Sequence, residues 1–237
     1  MKKKIAILGS TGSIGESTLD IIKKDKNNFD VILLSANNNY KKLIKQAKDV
    51  KAKNVLIRNN IFYDKLKSSL KNTHTKVYAG NVSIDKIVSK KLDYTMSSIV
   101  GIAGLEPTLE AIKNSKTVAI ANKESIICAW NLISKEIKKN KTLILPVDSE
   151  HFSIKELTKD VTDNEVEEVI ITASGGPFLN LSLKKLKNVK PNQAIKHPNW
   201  EMGKKISTDS ANLMNKVFEV IEACKIFQFD KKKYKIM

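Results

Sequence analysis

Short apolar runs recur along the first two-thirds of the chain, separated by stretches with helical spacing. Residues 5–8, 31–34, 55–57, 77–78, a segment within 94–100, 117–121 and 142–145 read as strands. Between them, apolar positions such as Leu19 and Ile22, or Leu109 and Ile112, recur three or four apart and predict helices. Strand–helix alternation of this kind predicts a parallel sheet covered on both faces. The fold class expected is therefore α/β, a Rossmann-like doubly wound parallel sheet over 1–145, with a second domain over 146–237.

The pattern changes after residue 146. One more strand is expected at 169–171, and prolines and glycine break the stretch 191–203 into a loop. Trp200 and Met202 are large apolar groups for a loop, which admits either burial or a lid over a ligand. A helix over 209–227 closes the pattern. Leu213, Val217, Val220, Ile221 and Cys224 share one arc, and Asn212, Asn215, Lys216, Glu219 and Glu222 the other. The polar arc reads either as the solvated side or as a cluster of amide, ammonium and carboxylate groups.

Composition narrows the class. No apolar run is long enough to span a membrane, and the apolar part after Lys2–Lys4 is too short for a signal peptide, so a cytoplasmic location is expected. Cys128 and Cys224 form no metal spacing and are expected as reduced core residues. The formal charge of +17 invites a nucleic-acid reading, but Arg58 is the only arginine among 42 basic residues, and no stacking aromatics accompany the lysines. No nucleic-acid or membrane partner is expected; the positive field favours anionic small ligands.

Three stretches carry chemistry. Gly9-Ser10-Thr11-Gly12-Ser13-Ile14-Gly15 follows a strand and opens a helix, the context in which backbone N–H groups hold a pyrophosphate. The second strand runs into Asn37, Asn38 and Asn39 without the acid that binds a ribose 2′-hydroxyl. With Lys41 and Lys42 close by, this is either an NADP-type site or an Asn-rich turn. Asp148 and Glu150 are two apart; on an extended segment both face one side, suiting Mg²⁺ or Mn²⁺, unless the strand simply ends in a polar turn.

Taken together, GSTGSIG (9–15), ANKE (121–124), PVDSEH (146–151), ASGGPF (173–178), HPNWEMGKKI (197–206) and DSANLMNKVFEVIEA (209–223) resemble the 1-deoxy-D-xylulose 5-phosphate reductoisomerase family, in order and over essentially the whole chain. The resemblance implies an NADPH- and divalent-metal-dependent enzyme that rearranges and reduces a small phosphorylated sugar to 2-C-methyl-D-erythritol 4-phosphate, in isoprenoid biosynthesis. It implies NADPH contacts from Thr11, Gly12, Ser13, Ile14, Asn37, Asn38, Asn39, Asn122, Glu124 and Gly203. It implies Asp148, Glu150 and Glu219 as ligands of Mn²⁺ or Mg²⁺. Lys123, Ser149 and Glu150 would hold the hydroxyl and carbonyl end of the substrate. Ser174, His197, Ser210, Asn215 and Lys216 would surround its phosphate. Lys123, Glu150 and His197 would be catalytic, and Trp200 and Met202 would belong to a closing flap.

The sequence departs from the family pattern at Asn37, where glycine is common, and at 152–156, behind the expected metal site. Family members continue through further catalytic residues and a helical C-terminal domain, and the full-length proteins form homodimers. The resemblance thus implies that 146–237 is a partial α+β catalytic domain of a chain that looks truncated, expected to bind NADPH but to turn over poorly alone. A remnant that binds NADP without turnover, and another NADP-linked oxidoreductase, are the alternatives.

Overall fold

A computed structural model of the chain describes residues 1–199 and 203–237. These form two compact units, Met1–Val147 and Asp148–Met237.

The first unit alternates strand and helix as the hydrophobic pattern requires. Strands β1 (Lys3–Leu8), β2 (Phe29–Ala36), β3 (Asn54–Ile57) and β4 (Lys76–Ala79) are linked by α1 (Ser13–Lys24), α2 (Tyr40–Val50) and α3 (Tyr63–Ser69). The chain then passes through α4 (Ile84–Ile87) to β5 (Leu92–Ser97), α5 (Leu105–Asn114), β6 (Ser115–Ile120), α6 (Lys123–Asn140) and β7 (Leu143–Pro146). All pairings are parallel, in the order β4-β3-β2-β1-β5-β6-β7. Strand order reverses at β1, so the loops after β1 and β5 diverge at the carboxyl edge, where open α/β sheets bind ligands. Ile5, Ile7, Val31, Leu34, Val55 and Ile57 pack against Leu19, Ile22, Leu43 and Leu66 to form the main core.

The second unit is smaller. It contains α7 (Ser149–Leu157), β8 (Val169–Ile171), α8 (Leu183–Leu186), α9 (Pro191–Ala194), α10 (Lys204–Ala211), α11 (Met214–Phe227) and β9 (Tyr234–Ile236), with β8 and β9 paired in parallel. Its core is Ile154, Val169, Ile171 and Ala223, with Val220, Phe227 and Tyr234 packed against it.

Three expectations are corrected here. The helix foreseen over 209–227 is two helices, because Leu213 takes a left-handed backbone (φ 63°) between α10 and α11. The polar arc of α11 is the buried one: Lys216, Glu219 and Glu222 are 5%, 2% and 2% exposed, while Leu213 and Val217 are 51% and 45% exposed. Cys128 is exposed rather than in the core, on α6, and Cys224 is half-buried; both are free thiols. Among the described residues, no helix is long and apolar enough to cross a membrane.

Candidate functional site

At the switch point of the first unit, Gly9 has φ 81°, which lets the chain leave β1 and turn sharply. The turn is pinned from behind: the Ser10 N–H donates to Ser35 O at 2.8 Å, and the Gln46 amide donates to Ser10 O at 2.8 Å. Ser10 Oγ donates to Gln46 Oε1 at 2.8 Å, closing a reciprocal pair. Gly12 is the N-cap of α1 and brings no side chain to the first-turn N–H groups, which are left for an incoming anion. The Gly12 N–H is taken by Gly9 O at 3.0 Å, and the N–H groups that follow it in the first turn are a donor set that fits the pyrophosphate of a dinucleotide.

Gly15 closes the turn. A Cβ there would stand 2.5 Å from both Gly9 O and Ser10 Cα. Gly15→Ala is accordingly expected to open the turn, destabilise the unit by about 1–3 kcal/mol and weaken dinucleotide binding, checked by thermal unfolding and an NADPH titration.

The other expected cofactor residues of this unit fall into two groups. Asn37, Asn38 and Asn39 are exposed beyond β2, and Asn39 caps α2 by accepting from the Lys42 N–H at 3.2 Å. Asn122 is only 2% exposed. It caps α6 by accepting from the Ser125 N–H at 2.6 Å, and its amide donates to Gly101 O at 2.7 Å and to Ile99 O. Its side chain is thus occupied in tying the β5 loop to α6. Lys123 and Glu124 follow in the first turn of α6, both half-buried.

In the second unit the carboxylates converge, but not along a strand. Pro146 ends β7; Asp148 has φ −55° and ψ 132°, and Ser149 and Glu150 already belong to α7. The side chains meet because Asp148 stands at the helix N-cap and Glu150 in its first turn. Ligand atoms of Asp148, Glu150 and Glu219 all lie within 4.8 Å of one another. The Lys216 ammonium sits among them, 3.0 Å from Glu150 Oε1 and in direct contact with Glu219. Ser149 donates to Glu150 Oε2 at 2.6 Å, and the Asn215 amide to Glu219 Oε1 at 2.5 Å. Burial works against ionisation of Glu150. Hydrogen bonding with Asp148, Ser149 and Lys216, and the charge of Lys216, outweigh it and bring its carboxyl down to about 2. Glu150 is a carboxylate throughout the neutral range, as a cation ligand must be.

These groups line one cleft of about 850 Å³, with Ser174, His197 and Ser210 also on its wall. Ser174 Oγ and His197 Nε2 are 2.9 Å apart, and His197 Nδ1 accepts from the Asn199 N–H at 3.2 Å. With Nδ1 accepting, the neutral ring carries its proton on Nε2 and donates to Ser174. Gly175 and Gly176 follow with φ 76° and 65°; a Cβ on Gly176 would lie 2.4 Å from Ser210 O. This close approach joins the Ser174 loop to the end of α10. Gly203 is the N-cap of α10. Trp200 and Met202, expected as a flap, lie outside the described residues.

His151 and Glu222 were given no role by the sequence. His151 is wholly buried; its Nε2 lies 2.9 Å from Glu219 O and its Nδ1 lies 3.4 Å from Glu222 Oε2. With Asp148 they form a second set of grouped ligand atoms. Neither lines the cleft, whereas Asp148, Glu150 and Glu219 all do. The all-oxygen set is therefore the one open to a cation and substrate, and its hard donors fit Mg²⁺ or Mn²⁺. The signal available in the sequence was Glu219 and Glu222 three apart on a helix.

Comparison with known proteins places the chain in a family. The profile of 1-deoxy-D-xylulose 5-phosphate reductoisomerase matches residues 5–130, and that of its C-terminal domain matches 144–227. The reductoisomerase of Pelagibacter ubique is 56% identical over 237 residues, covering 99% of this chain and 61% of that protein. The Zymomonas mobilis reductoisomerase solved in complex with NADPH has a TM-score of 0.90 at 41% identity, covering 100% of this chain and 61% of that one. A DOX-P reductoisomerase solved with NADPH, fosmidomycin and magnesium has a TM-score of 0.90 at 35% identity, covering 99% and 60%. The chain thus spans about three-fifths of the length of the relatives it matches.

Proposed function

The chain belongs to the 1-deoxy-D-xylulose 5-phosphate reductoisomerase family, and on that premise we propose that it binds NADPH and a divalent cation and serves the conversion of 1-deoxy-D-xylulose 5-phosphate to 2-C-methyl-D-erythritol 4-phosphate. The observation that carries this reading is the gathering of Asp148, Glu150 and Glu219 around one ammonium in a cleft that also presents Ser174, His197 and Ser210. Simple hydride transfer between a nicotinamide and an alcohol has no use for such a trio of carboxylates.

When bound, the cation would polarise the carbonyl and hydroxyl oxygens of the sugar, and NADPH would supply the hydride. The side chains do the rest. Asp148, Glu150 and Glu219 would hold the cation, and the Ser149 hydroxyl and Asn215 amide fix two of these carboxylates by hydrogen bonds. Ser174, Ser210, Asn215 and Lys216 offer donors to the phosphate, and His197 holds its Nε2 proton toward Ser174. The Gly9–Gly15 turn and the Asn37–Asn39 loop hold the dinucleotide. Lys123 and Glu124, in the first turn of α6, are assigned to the substrate and cofactor respectively.

The test is NADPH loss on adding deoxyxylulose phosphate and Mn²⁺. Oxidation, expected to be slow for this chain alone, should require substrate and cation together. Oxidation that persists after chelation would count against the reading.

A further inference from the structure

The 2′-phosphate of NADPH carries close to two negative charges, yet the loop that follows β2 offers only the neutral amides of Asn37, Asn38 and Asn39. Of the two nearby cations on α2, Lys41 is exposed and can serve only as a mobile point charge, and Lys42 is engaged: its Nζ lies 2.5 Å from Glu16 Oε1 on α1. The neighbouring strand supplies another. Arg58 stands immediately after β3, and parallel strands lie about 4.8 Å apart. Its N–H donates to Ala36 O at 2.9 Å, and the next N–H, of Asn59, donates to Asn37 O at 3.2 Å. The Asn59 amide then donates to Asn38 Oδ1 at 2.9 Å. The strand end carrying Arg58 is thereby zipped to the end of β2 at one point and to the asparagine loop at two.

The guanidinium is not consumed elsewhere. Its ion-pair partner is Glu106, 3.5 Å away, with the two side chains 43% and 75% exposed. A pair so long and so wet contributes little and exchanges readily for a dianion. Arg58 is also the only arginine in a chain with 42 basic residues. Lysine serves wherever charge alone is required; the planar fork that grips two phosphate oxygens at once is what lysine cannot supply.

We propose that Arg58 is the specificity-determining residue for the cofactor, binding the 2′-phosphate and setting the preference for NADPH over NADH. This rests on the reading that the glycine turn and the asparagine loop hold a dinucleotide.

The 237-residue chain and its Arg58→Gln, Arg58→Lys and Lys42→Gln variants are titrated with NADPH and with NADH, following nucleotide fluorescence. The wild-type chain should bind NADPH more tightly. Arg58→Gln should weaken NADPH binding about 10- to 100-fold and leave NADH binding unchanged, which a merely structural role would not do. Arg58→Lys should fall between, because it keeps the charge and loses the fork. Retention of the preference in Arg58→Gln, parallel weakening of both nucleotides, or loss that follows Lys42→Gln instead would overturn the assignment while leaving the dinucleotide site standing. A wild-type chain that binds both nucleotides equally, or neither, overturns the cofactor reading and this inference with it.

Discussion

Replacing Lys216 by methionine is expected to destabilise the second unit by about 3–5 kcal/mol, because removing one partner leaves buried charge uncompensated. Lys216 is 5% exposed, and its ammonium is the counter-charge for Glu150 and for Glu219, itself 2% exposed. Methionine matches the length of the side chain and keeps its apolar packing, so the loss reports the charge. A divalent cation should restore much of it, since it supplies positive charge to the same oxygens. At a hundredfold excess over its dissociation constant, a ligand specific to the folded state contributes about 2.7 kcal/mol. Hydrogen exchange of the α11 amides, with and without Mn²⁺, reads both effects. Equal protection in variant and wild type without the cation would show that Lys216 is not the counter-ion.

Asp148→Asn is expected to weaken Mn²⁺ binding by roughly 100-fold or more, since even residues that only support a ligand are worth 10- to 100-fold. The substitution is isosteric, and asparagine is as good an N-cap as aspartate. The Asp148 side chain makes no capping hydrogen bond to α7, so none is lost. The first unit contains the glycine turn and the asparagine loop in full, so NADPH affinity should stay as it was. Calorimetry with each ligand separates the two. Unchanged Mn²⁺ affinity would remove Asp148 from the metal site.

The alternating strands and helices of the first unit were legible because period and burial agree there: Ile5, Ile7, Val31 and Leu34 are apolar and buried. The cluster in the second unit obeys a different logic. Lys216 finds Glu150 across 66 positions of sequence, and His151 meets the Glu219 carbonyl across 68. Once such groups neutralise one another they can be buried, and Leu213 and Val217 of the apolar arc are left toward solvent while Val220 still packs on the core. Periodicity identifies the arcs of a helix but not which arc has partners. Asp148 and Glu150 were read as neighbours on a strand for a related reason. Their spacing suited a strand, but Ser149 starts a helix, and convergence came from the N-cap geometry. Leu213 gave no warning of the break before α11, since left-handed backbone there falls on a residue that rarely adopts it.

The His151 bridge ties together the two helices that carry the carboxylates. It joins α7, which carries Glu150 and is capped by Asp148, to the main chain of α11 at Glu219, and it does so with a fully buried ring. An ion of Mg²⁺ or Mn²⁺ size can settle among oxygens gathered this closely. Calcium needs longer bonds and more of them, so accommodating it means prising two packed helices apart against that strut. If the trio holds a cation as proposed, a larger ion would have to do the work of separating these helices, and resistance to it would come from a residue that does not line the cleft.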